Sequence, residues 1–156
     1  MSDASGWTAE QIWMNLLADE GYRPRVIDAG KVLTFKREGL NYLVLLDARD
    51  PEFLHLILPR CWPLESDVEF ARAFRVVNKV HARIKVARIL IDEDDRDISF
   101  GVELLVPNLN SLGTILPRVL SIIDSARRKF TTTMQEAAAS EVQPCEDEPS
   151  SNRSDN

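Results

Sequence analysis

The segment "DEDDRD", Asp92 to Asp97, holds five acids in six residues. Carboxylates at that density are the ligands a hard cation such as calcium prefers. An EF-hand loop places ligands at positions 1, 3, 5 and 12 and a turn-making Gly at position 6. Counted from Asp92, Asp94 and Glu103 satisfy positions 3 and 12, but Arg96 and Asp97 occupy positions 5 and 6. The flanking sequence is strand-like rather than helical. The segment therefore reads as the solvated tip of a hairpin, with Asp supporting the turn, and no metal site is expected.

A second candidate chemistry is a Cys–His pair, which needs nucleophile and base within hydrogen-bond reach and a third group to orient the base. The chain has two cysteines, Cys61 and Cys145, and two histidines, His55 and His81. His55 falls within a strand pattern and His81 near a helix end, and no spacing brings either to Cys61. Cys61, in "PRCWP", reads as a small apolar filler beside Trp62. The chain contains no G-x-S-x-G, P-loop, G-x-G-x-x-G or H-E-x-x-H motif, and its Cys and His lack zinc-site spacing. No cofactor, small-molecule substrate or catalytic activity is expected.

The third candidate is the run Arg72 to Arg88, which carries six Lys or Arg and no acid. Arg72, Arg75 and Lys79 fall on one face of a helix and are the candidate partner-binding residues. Segment 72–88 could also attract phosphate, which makes a nucleic-acid-binding protein the alternative function. Against this, no aromatic motif of the RNA-binding type interleaves with it, and the body of the chain is not basic. A solvated helix face is the commoner explanation.

The elements that must position these residues follow from punctuation and period. Thr8 and Gln11 form a capping box, Trp7 and Ile12 the flanking staple, and Gly21 the stop, which predicts a helix over 9–20 with Ile12, Trp13, Leu16 and Leu17 inward. "RVID", "KVLTFKR", "LNYLVLLD" and "EFLHLIL" then predict a four-stranded antiparallel meander, closed by Pro59 and Pro63. "YLVLL", apolar on both faces, belongs in the middle of the sheet. Ser66 and Glu69 open a second helix with Phe70, Phe74 and Val77 inward. "IKVARILID" and "DISFGVELLV" form the hairpin around the acidic tip. A third helix carries Leu116, Val119, Leu120, Ile123, Ala126 and Phe130 inward, reaches about residue 139, and tolerates Pro117 only in its first turn.

The 156 residues suit one α+β domain over 1–139, with a twisted antiparallel sheet, three helices and the order α-β-β-β-β-α-β-β-α. Residues 140–156, rich in Ser, Pro and acids, read as a disordered acidic tail. The net charge of −6 is mostly this end of the chain: from Met134 onward six acids face Arg153 alone, leaving 18 basic and 19 acidic residues in 1–133. With one cysteine in the body and one in the tail, no structural disulfide is expected. There is no signal peptide, no run long enough to span a membrane and no internal repeat, so the cytoplasm is the expected compartment.

In this order of elements, and in "FARAFRVVNKVHARIKVARILIDEDDRDISFGVELLV", the chain resembles the YbjN family, whose domain is similar to the type III secretion chaperone fold. Asn78 in "VVNKV" matches the Asn that the family tends to place at the end of this helix. The resemblance covers about residues 8–133 and implies a non-catalytic, protein-binding or regulatory role. Asn78 itself reads as structural, its side chain closing the helix end, rather than as a contact residue. Only three helices of modest length are available for about six strands, and the strands are apolar on both faces. The surplus predicts a protein partner or a second copy of the chain, a symmetric homodimer being the simplest arrangement. The alternative is a monomer whose third helix folds over the second face.

Overall fold

In the computed structural model, which describes residues 6–142, the first helix begins where its cap requires. Thr8 Oγ1 accepts the Gln11 N–H at 3.2 Å and Gln11 Oε1 accepts the Thr8 N–H at 2.9 Å, so both halves of the capping box form. Helix α1 (Ala9–Asp19) buries Trp13 and Leu17 and ends before Gly21, which takes the left-handed conformation at φ 86°. Trp7, expected to staple the cap, stays 53% exposed.

Strands β1 (Arg25–Asp28), β2 (Val32–Arg37), β3 (Leu40–Leu45) and β4 (Phe53–Pro63) follow as the meander. The two-residue turn between β2 and β3, Glu38 and Gly39, has φ of 50° and 82°, the sense of twist a tight hairpin needs. After α2 (Asp67–His81), β5 (Ala87–Asp92) and β6 (Asp97–Leu105) form the second hairpin, and β6 inserts between β4 and β5. All six strands join one antiparallel sheet in the order β1-β2-β3-β4-β6-β5, with β3 and β4 central.

Strand β4 does not stop at Pro59. Register passes from Leu58↔Phe100 to Trp62↔Ile98, so three residues of β4 stand opposite Ser99 alone. This bulge absorbs Pro59, which has no N–H for the ladder, and Arg60, whose φ is 53°. The Arg60 N–H is satisfied by Ser99 Oγ at 3.2 Å.

Ser66 caps α2 by accepting the Glu69 N–H at 3.1 Å, but Glu69 does not reach back to complete a box. Its carboxylate accepts the Glu65 N–H and the indole N–H of Trp62, tying the helix start to β4. The inward stripe of α2 is Ala73, Val76 and Val80, with Phe70 and Val77 at its edge. Phe74, expected inside, is 47% exposed. Small residues let α2 lie close to α3, and the two rings move to the flank, where Phe70 meets Phe74 edge-on at 5.2 Å and receives the Arg96 guanidinium at 5.0 Å. Asn78 lies exposed one turn before the helix ends at His81.

Helix α3 runs from Leu112 to Val142, after a single 3-10 turn at Leu109–Ser111. Every residue expected on its inner stripe is buried, from Leu116 to Phe130, and Leu112 and Met134 extend it at both ends. Pro117 therefore lies in the second turn rather than the first, because burying Leu112 draws the helix start back. Ser140, Glu141 and Val142, read as the start of the tail, are helical. The rest of the expected tail, 143–156, lies outside the described residues.

All three helices pack on one side of the sheet: α1 against β2, α2 against α3 and β5, α3 against β5 and β6. The side they cover presents rows such as Leu33–Val44–Leu56–Val102–Ala87, every member of which is buried. Folding α3 over the second face, the monomeric alternative, does not occur. The α3 stripe matches the same face that α1 and α2 cover.

Candidate functional site

The basic run does not form one surface. Arg72, Arg75 and Lys79 lie on α2, whereas Arg88 lies on β5 and faces the opposite side of the sheet, beside Gly101 and Ile57. Arg72 and Arg75 converge on one carboxylate: Arg72 donates to Glu141 Oε2 through Nε at 3.1 Å and Nη2 at 2.7 Å, and Arg75 Nη2 donates to Oε1 at 2.8 Å. The hydrogen bonds from Arg72 hold Glu141 below the usual carboxylate range. Two of the three candidate partner-binding residues thus clasp the end of α3 to the start of α2, and Arg72 is left only 16% exposed. Lys79 is exposed. Its neighbours across the groove between α2 and α3 are Thr133 and Glu136.

Among the described residues no element packs on the face of the sheet away from the helices. One row across it runs Thr34–Leu43–Ile57–Gly101–Arg88 and the next Val32–Leu45–His55–Glu103, with Phe53 opposite Leu105 beyond. Val32, Leu43, Leu45, Phe53 and Ile57 are half-buried only by their neighbours in the sheet, and Leu105 is 66% exposed. These side chains form a contiguous apolar field on the outer face of the sheet. At Gly101 a Cβ would stand 3.2 Å from the Leu56 carbonyl oxygen, a close approach that a glycine accommodates.

Within the field sits one polar group. Glu103 Oε1 accepts from Arg88 Nη1 at 2.6 Å and lies 3.3 Å from His55 Nε2. Burial holds His55 below its ordinary value of 6.5, Glu103 opposing and Arg88 assisting. The imidazole is therefore neutral at neutral pH. Because the unfolded chain takes up this proton more readily, the contribution of His55 to stability is full above its ordinary value and is lost as the pH falls through the folded one. Thermal melting from about pH 8 to about pH 5 should show the wild type losing more stability than His55→Gln, and parallel profiles would contradict the assignment.

The hydrogen bonds of Cys61 go to backbone carbonyls and not to a histidine. Its thiol donates to the Leu58 and Pro59 carbonyls at 3.4 and 3.8 Å, and burial pushes it up to about 12, far from a thiolate nucleophile. His81 accepts the Ile89 N–H on Nε2 at 3.0 Å and so joins the end of α2 to β5. At the acidic tip, Asp92 Oδ1 accepts the Asp94 and Asp95 N–H groups at 3.0 and 2.9 Å, the turn chemistry expected of Asp. Arg96, at φ 52°, completes the turn and donates to Asp67. Among the described residues no group of three Cys, His, Asp or Glu is arranged to hold a metal ion, and no helix is long and apolar enough to cross a membrane.

Glu141 and the pair His55–Glu103 escaped the sequence reading. The helical run "QEAAASEV" reaches Glu141, but its acidic surroundings resemble tail. His55 and Glu103 both stand at outward positions of their strands, and only the pairing of β4 with β6 makes them neighbours.

No protein-family model matches this chain, and no curated protein matches it in sequence. Solved structures do. An uncharacterized protein from Methanothermobacter thermautotrophicus superposes with a TM-score of 0.51 at 13% identity, covering 85% of this chain and 98% of its own. YbjN from E. coli, described as a candidate transcription regulator, superposes with a TM-score of 0.52 at 11% identity, covering 85% of this chain and 92% of its own. The resemblance expected from the sequence thus holds for the fold, an α+β domain with a YbjN-like arrangement of three helices and six strands.

Proposed function

We propose that this chain is a non-catalytic protein-binding module with a regulatory role, and that it works as a homodimer joined through the open face of its sheet. One observation carries the reading: the three helices share one side, so among the described residues nothing lies over the apolar rows through Leu43 and Leu45. Burying apolar surface contributes about 25 cal/mol per Å², and a two-fold partner presents the same field in return. The polar group at His55, Glu103 and Arg88 suits such a contact, because its charges are already paired before the faces meet. The half-buried thiol of Cys61, held in its protonated form, and the structural bond of His81 support a non-catalytic role, as does the YbjN-like fold. The engagement of Arg72 and Arg75 by Glu141, with Arg88 on the far side of the sheet, argues against one nucleic-acid surface over 72–88.

Sedimentation equilibrium tests the reading. The chain has a mass of 17.7 kDa, and a species of twice that mass is expected at micromolar concentration. A mass of 17.7 kDa at every concentration would rule out the homodimer.

A further inference from the structure

On the helix side, away from the open sheet face, α2 and α3 run antiparallel with a shallow groove between them. Glu141 lies against Arg72 and Arg75 at one end, and Lys129 Nζ donates to the Arg83 carbonyl at 3.1 Å at the other. Near that second end a hollow of about 370 Å³ is lined by Val80, Arg83, Arg128, Lys129, Thr132, Thr133 and Glu136. Arg75 and Lys79 continue the lining toward Glu141. The acids here are Glu136 and Glu141, against the cations Arg75, Lys79, Arg83, Arg128 and Lys129. Arg128 is paired with Asp124 at 2.8 Å and Arg75 with Glu141, so Lys79, Arg83 and Lys129 are the cations without an acidic partner among the described residues. The groove is a positive channel over a small apolar floor.

The described chain ends at the mouth of this channel. The clasp on Glu141 fixes where Val142 leaves the body, and the next residues are "QPCEDEP", 143–149. Glu146, Asp147 and Glu148 follow Val142 by four to six residues, a reach of about 13–22 Å when extended. The groove from Glu141 back to Lys129 spans twelve residues of α3, about 18 Å. Length and charge both match.

We propose that the groove between α2 and α3 is a docking site for an acidic peptide segment, and that in the free protein its occupant is this chain's own Glu146–Glu148. An acidic partner would then have to displace the tail, which makes the segment a built-in competitor for the groove. The site is independent of the open sheet face, and either can fail without the other.

The test uses the full chain and a synthetic peptide of residues 143–149 with Ser in place of Cys145. Titration is followed through the backbone amide signals of Lys79, Arg83 and Lys129. The full-length variant Glu146→Gln, Asp147→Asn, Glu148→Gln should bind this peptide at least about fivefold more tightly than the wild type, because a short tether gives the native tail a millimolar effective concentration. The difference should vanish at roughly 0.5 M sodium chloride, where exposed charges are screened. Adding Lys79→Gln and Arg83→Gln to that variant should abolish binding. Equal affinity of wild type and tail variant would overturn the proposal, as would no binding by the tail variant or indifference to Lys79 and Arg83. Wild-type groove signals that depend on protein concentration would place the tail on a second copy and overturn it equally.

Discussion

Phe130→Ala is expected to cost about 3–5 kcal/mol of folding stability, a large share of the about 5–15 kcal/mol that holds a domain of this size together. Phe130 is fully buried, and its ring meets Trp62 edge-on at 5.9 Å and Phe100 at 5.7 Å. Trp62 belongs to β4 and Phe100 to β6, so this one side chain seats α3 on two neighbouring strands. Removing it loses the transfer energy of the ring and two aromatic contacts, and leaves a cavity that rigid neighbours cannot fill. Phe74→Ala, at a ring 47% exposed on the flank of α2, should cost under about 1 kcal/mol. Urea unfolding of both variants makes the comparison. Similar losses for the two would mean that the core is not organised around Phe130.

Leu43→Arg is expected to weaken self-association by at least about 100-fold, or about 2.7 kcal/mol, while leaving the monomer folded. Leu43 stands in the middle of the open face, paired with Thr34 on one side and Ile57 on the other. In a monomer a guanidinium there reaches water and costs little, as most surface substitutions do. In a two-fold contact each copy meets its mate, two cations enter an apolar interface without partners, and both must be desolvated. The variant should therefore sediment at 17.7 kDa under conditions where the wild type has twice that mass. Its thermal unfolding should stay cooperative. A variant that sediments like the wild type would remove the open face as the joining surface.

The kind and order of the elements were legible along the chain, because those depend on residues a few positions apart. Thr8 with Gln11 starts α1, and the stripe from Leu116 to Phe130 makes α3 and its buried side. The outward positions of β6 and the turn at "DEDDRD" are equally local, since alternation and Asx bonding act over a few residues. Even there the sequence left a choice of depth: Phe74 fits the period of α2 but not its closest approach to α3, and packing gave the inner stripe to Ala73, Val76 and Val80.

Which distant groups meet was settled by packing and strand register. Arg72 finds Glu141 across 69 residues of chain, converting two candidate binding residues into a clasp. His55 becomes the neighbour of Glu103 through strand register, not through spacing. The bulge that carries β4 past Pro59 depends on Ser99 standing opposite it. The side of the sheet that the helices choose is likewise unreadable from strands apolar on both faces: either side would bury similar side chains. It was settled by the joint fit of α1, α2 and α3 to the rows through Val44 and Leu56, which left the rows through Leu43 and Leu45 bare.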